Sequence, residues 1–205
     1  MKPANLHHFV EHHAAALIFG ILFVSMLGGL AQIVPALFNQ AEPTIAPYTP
    51  IQLAGREVYL RESCGLCHTQ QIRPLVAEVR RYGAPSQPGE FAYDRPFLWG
   101  SKRTGPDLHR LAGKYSDDWH RIHLLNPRRV VPGSIMPSYP WLEQATVDVS
   151  QLQSLMLALR RVGVPYTDEE IAAAGEELVA KTEMDALIAY LQSLGASSPK
   201  LPKLP

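Results

Sequence analysis

The chain has 205 residues, enough for one globular domain with attached segments. Nineteen Lys and Arg balance 19 Asp and Glu, which speaks against a nucleic-acid binder. The charge is uneven: residues 69–131 hold 11 basic and 6 acidic side chains, residues 132–205 hold 5 and 9, and such a split can orient docking.

Residues 1–13 read as a short polar leader. His7, His8, His12 and His13 suggest a metal cluster at first sight, but beside an apolar span they read as interfacial polar residues. Residues 14–38 are apolar apart from Ser25 and Gln32. At about 1.5 Å per residue such a helix can cross a bilayer core of roughly 30 Å. A cleaved signal peptide would have a shorter apolar region and a more basic leader, so the span reads as an uncleaved anchor in lipid. Gly20, Gly28 and Gly29 either let a neighbouring helix approach or are simply the glycine that membrane helices tolerate.

Residues 39–50, with Pro43, Pro47 and Pro50, predict an extended linker. A helix is expected over 53–62, leading into Cys64-Gly65-Leu66-Cys67-His68. Two cysteines three apart followed by histidine form the attachment signature of a c-type haem. Thiols at i and i+3 on one helical turn can reach the two vinyl groups of a porphyrin edge, and the adjoining imidazole can ligate the iron. A redox dithiol needs no following histidine, and a zinc site needs a second ligand pair. His120 and His123 lie too far from Cys67 for the usual finger spacing. Cys64 and Cys67 are the only cysteines, and His68 is the expected proximal ligand. Because c-type haems are attached outside the bacterial cytoplasmic membrane, the leader is expected to be cytoplasmic and residues 51–195 a periplasmic haem domain.

After the motif comes a segment of 35 residues, 69–103, rich in Arg and aromatics and expected to be a functional or docking surface. Ser116 predicts the N-cap of a helix from Asp117 to about Leu125, stopped by Asn126-Pro127. Helices are also expected over 150–162, after Thr167 with a capping box to Glu170, and from Met184 to a cap at Gly195. Met156 and Met184 fall in apolar helical patterns and belong to the core, whereas Met136 sits in a loop bounded by Pro132, Pro137 and Pro140. Residues 196–205 are expected to be a flexible tail.

The motif, the two flanking helices and two further segments resemble a class I cytochrome c. In that all-α fold the first and last helices cross at a small residue against an aromatic, here Gly55 against Tyr190 or Leu187. Thr104-Gly105-Pro106-Asp107-Leu108 is similar to the family's turn whose proline carbonyl accepts the proton of the haem histidine. Ile135-Met136-Pro137 is similar to its distal loop, which makes Met136 the second axial ligand of the haem iron.

The runs 95–108, 115–120 and 126–142 closely resemble one family, the mono-haem subunits of cbb(3)-type haem–copper cytochrome c oxidases. That resemblance implies a single-pass inner-membrane subunit with one covalent haem c and no small-molecule substrate of its own. It implies electron relay from a di-haem cytochrome c subunit to the haem b of a catalytic haem–copper subunit, where oxygen is reduced and protons are pumped. It also implies a shared calcium ion, with Gly100 and Ser101 as candidate contacts. Arg73, Arg95, Trp99, Arg128 and Tyr139 are candidate donors to haem propionates. Arg80 and Arg81 read as solvated, and His109, His120 and His123 as surface or interface histidines. A free-standing anchored electron shuttle is the alternative, and co-purifying subunits would separate the two. Carbon monoxide binding to the reduced protein would instead mark an enzyme with an open haem site.

Overall fold

The computed structural model describes residues 3–38 and 43–196. The chain divides into two compact units, Met1–Glu42 and Pro43–Pro205. Among the described residues the architecture is all-helical: eight α-helices joined by 3-10 turns, and no strand beyond one isolated bridge between Thr146 and Thr182.

The first unit holds α1 (Pro3–His12) and α2 (Ala14–Phe38), broken only at His13. The leader is therefore helical in its described part. His7 bonds Glu11 at 3.1 Å, and the ring of His13 reaches the Phe9 carbonyl at 2.8 Å. Over Ala14–Pro35 the mean hydropathy is 2.3 and none of that surface is buried, so α2 is long and apolar enough to cross a membrane.

The second unit begins with a helix-free stretch and then α3 (Pro50–Arg61). Residues 39–42 of the expected linker and 197–205 of the expected tail lie outside the described residues. Proline at the first helical position, with the Gln52 side chain returning to the Thr49 N–H at 3.0 Å, starts α3 three residues earlier than periodicity suggested. There follow α4 (Val76–Tyr82), α5 (Asp117–Leu125), α6 (Val149–Arg161), α7 (Asp168–Glu177) and α8 (Glu183–Ser193). Ser116 accepts from Trp119 N–H at 3.2 Å and Thr167 from Glu170 N–H at 3.1 Å, as their N-cap chemistry predicts.

The core has two parts. Tyr59, Leu142, Met184, Leu187, Tyr190 and their neighbours fill the side that carries Cys64 and Met136. Leu53, Leu152, Met156, Ile171 and Ala174 fill the other, between α3, α6 and α7. Both Met156 and Met184 are fully buried, as their helical patterns indicated.

Segment 69–103 is more than a surface loop. It contributes buried Ile72 and Phe91, carries α4, and buries three carboxylates that each find an arginine: Glu78 with Arg103 and Arg73, Glu90 with Arg110, and Asp94 with Arg56. Two histidines expected at the surface or an interface are inside, the first of them because of this segment. His109 is 4% exposed, stacked on Phe91 of this segment and bonded to Ser86 at 2.5 Å. His120 is 2% exposed, edge-on to Trp119 and Tyr115. His123 is half-buried, with its ring stacked on Trp119.

Candidate functional site

α3 stops because Glu62 and Ser63 leave helical geometry, Ser63 taking the left-handed conformation at φ 58°. The turn it opens is the 3-10 turn Cys64–Leu66, whose carbonyls tie back as Cys67 N–H to Cys64 O at 3.2 Å and His68 N–H to Cys64 O at 3.0 Å. Both thiols are thus on one turn. Cys64 packs half-buried on the Tyr59–Tyr190 core, and Cys67 is exposed. Burial, helped by nearby Glu62, pushes the Cys64 thiol up to about 12, so it is held as a neutral thiol.

His68 lies across from the 104–108 turn. Its Nδ1 is 2.8 Å from the Pro106 carbonyl oxygen. A carbonyl only accepts, so a neutral ring carries its proton on Nδ1 and leaves the Nε2 lone pair free for a metal. Gly105 is flush with this ring: a Cβ built on it would stand 2.7 Å from Nδ1 and 2.8 Å from Nε2. Two backbone bonds lock the turn to the motif, Gly105 N–H to Cys67 O at 2.9 Å and Leu108 N–H to Thr69 O at 2.8 Å.

Met136 comes from the proline-bounded loop. Its N–H is held by Ser134 Oγ at 3.2 Å, and its half-buried side chain packs on the same core as Cys64 and Tyr139. The loop is pinned by Tyr139 N–H donating to the Leu124 carbonyl at 2.8 Å. Leu66 and Ile135, beside the thiols and the thioether, are 72% and 75% exposed, a large apolar area left uncovered by protein. Nδ1 of His123 is buried without a partner, and burial together with His68 nearby holds that ring's pKa down. Two thiols, an imidazole with a free Nε2, a thioether and an uncovered apolar rim fit a covalently attached haem.

A family profile described as "Cytochrome C oxidase, mono-heme subunit/FixO" matches residues 7–182. The chain belongs to this family. No curated protein matches it. The mono-haem subunit therefore carries a haem and works as part of an oxidase with partner subunits.

The other residues singled out in this mono-haem subunit are scattered. Trp99 and Gly100 lie behind His68: the Trp99 carbonyl accepts from Gln70 N–H at 3.0 Å, and a Cβ on Gly100 would stand 3.4 Å from the His68 carbonyl. Ser101 is exposed beside them. Tyr139 is half-buried near both cysteines. Arg73 is exposed but committed to Glu78, with Nε 2.5 Å from Oε1. Arg95 donates to the carbonyls of Ala92 and Asp94 and lies over the Phe97 ring. Arg128 is exposed on the 3-10 turn Pro127–Arg129. Sequence reasoning passed over Asp107, whose carboxylate is completely buried next to Pro106; a charged residue inside an apolar turn was the signal.

Proposed function

We propose that this mono-haem subunit is the membrane-anchored electron relay of a cbb(3)-type oxidase, with α2 in the inner membrane and the haem domain in the periplasm. It takes electrons from a di-haem cytochrome c subunit and passes them to the haem b of the catalytic haem–copper subunit, without catalysing oxygen reduction itself. The observation that carries this reading is the His68 Nδ1 to Pro106 bond on the Cys64–His68 turn, because it presets the tautomer a haem ligand needs.

Bound haem supplies a one-electron iron couple. Cys64 and Cys67 would hold it covalently, and His68 Nε2 and the Met136 thioether are the groups that would bind its iron. The Pro106 carbonyl holds the imidazole proton and makes the ring a stronger donor. Tyr139, Trp99 and the three arginines 73, 95 and 128 are proposed to serve propionates of this haem or a neighbour's. Gly100 and Ser101 are proposed to touch a shared calcium ion. Residues 51–195 form the haem domain, and segment 69–103 presents its exposed face to the partner subunits.

The test is Met136→Ala in the full chain. The haem stays covalently attached, the sulfur-to-iron absorption disappears and the reduction potential falls. An unchanged midpoint and absorption would refute the axial assignment. Cys64→Ala, scored by haem staining, should lose most haem.

A further inference from the structure

The residues following His68 and the turn carrying Pro106 share one buried anion. Asp107 has a side chain with no exposed surface. Its Oδ2 accepts from the Thr69 hydroxyl at 2.5 Å and from Gln71 N–H at 2.9 Å, and its Oδ1 accepts from His109 N–H at 2.9 Å. The carboxylate thus spans both strands of the connection, 69–71 on the ligand side and 107–109 on the proline side. Arg103 supplies the countercharge. Its Nη2 lies 3.4 Å from Asp107 and donates to the Gln71 carbonyl and to Glu78 Oε2, both at 2.8 Å, while its Nε donates to Thr69 Oγ1 at 2.7 Å. Glu78 in turn holds exposed Arg73. A continuous chain of charge therefore runs from the surface of segment 69–103 to the residues adjoining the haem ligand.

We propose that Asp107 is a positioning residue that holds the Pro106 carbonyl on the His68 ring and thereby sets the reduction potential, with Arg103 and Glu78 coupling that clamp to segment 69–103. The proposal rests on the haem reading above. Its direction follows from two effects of the same sign. Loosening the Pro106 contact makes His68 a weaker donor, which favours the reduced iron. Removing the carboxylate charge leaves Arg103 less compensated beside the ligand, which also favours the less positive, reduced state. Such a group is buried at a cost that its three donors and one cation offset, and an apolar turn would not need it.

The experiment is spectroelectrochemistry on the full-length, haem-loaded chain in detergent. Asp107→Asn and Thr69→Val are expected to raise the midpoint potential while keeping the low-spin His/Met spectrum. Glu78→Gln is expected to raise it less, and Glu176→Gln on α7 not at all. A purely structural role would lower the melting temperature of Asp107→Asn and leave the potential where it was. An unmoved potential in Thr69→Val, which removes one hydroxyl and keeps the shape, overturns the proposal even if Asp107→Asn fails to incorporate haem. A wild-type chain lacking a His/Met spectrum would overturn the haem reading and this inference together. A normal wild-type spectrum with unmoved variants sinks the inference alone.

Discussion

Gly55 in α3 meets Tyr190 in α8 with no side chain between them: a Cβ on Gly55 would stand 2.8 Å from the Tyr190 Cβ and overlap the Ala186 carbonyl. The Tyr190 ring then lies edge-on to Tyr59 at 5.5 Å, and its hydroxyl donates to Gln70 at 3.0 Å, two residues from His68. One close crossing thus sets where His68 emerges. Gly55→Ala gains up to about 1 kcal/mol of helix propensity but must push the two helix backbones apart. Overpacking of this kind costs about 3 kcal/mol. The net loss of about 2 kcal/mol lowers the melting temperature by roughly 4–8 °C in a chain of this size, readable by thermal circular dichroism. A wild-type melting temperature would contradict the crossing.

Gly105 makes the second close approach, against the ring of His68. In Gly105→Ala the new methyl group takes the space of the imidazole, so the ring must leave the Pro106 carbonyl. The expected result is a chain that still attaches haem through Cys64 and Cys67 but has a disturbed low-spin absorption spectrum. A native spectrum and midpoint from this variant would show that the ring and the turn are not coupled.

Elements whose causes are local were legible in the sequence. The apolar run gave α2 its bounds, Ser116 and Asn126 gave α5, and the Thr167–Glu170 box gave α7. The crossing at Gly55 was legible only through family resemblance, since nothing in a 12-residue helix says that its one glycine meets a partner. What stayed hidden depends on long-range pairing. His109 was read as a surface or interface residue because the sequence does not show Phe91, 18 positions earlier, closing over its ring. The burial of Glu78, Glu90 and Asp94 was not legible either, because their arginines are brought in by the fold.

Acid should weaken the second unit through His109. Burial, and then the adjacent Arg110 cation, push its pKa down to about 4, below the ordinary 6.5. Between these values the unfolded chain binds the extra proton and the folded one does not, so stability is complete above about pH 6.5 and is lost as pH falls toward 4. The span corresponds to a loss on the order of 3 kcal/mol. Lower still, Glu78 contributes with the same sign, because Arg103 and Arg73 hold it down at about 2. Denaturant midpoints measured from pH 7 to 4 should fall for the wild type. In His109→Gln, which starts less stable, the slope should be shallower over the same range. Equal slopes would assign the acid sensitivity elsewhere.

Whether segment 69–103 docks a partner cannot be tested by deleting it, because Ile72, Phe91 and Asp94 would leave the core with it. Its exposed apolar side chains offer a cleaner probe. Val76 is 68% exposed and Phe97 is 50% exposed, and neither helps to fill the two core clusters. Burying what remains exposed of two such side chains against a partner would contribute about 2 kcal/mol, enough to weaken association more than tenfold. The double variant Val76→Ser, Phe97→Ser should therefore keep its haem spectrum and melting temperature and lose co-purifying oxidase subunits. Undiminished co-purification would move the docking face away from this segment and toward the rim formed by Leu66 and Ile135.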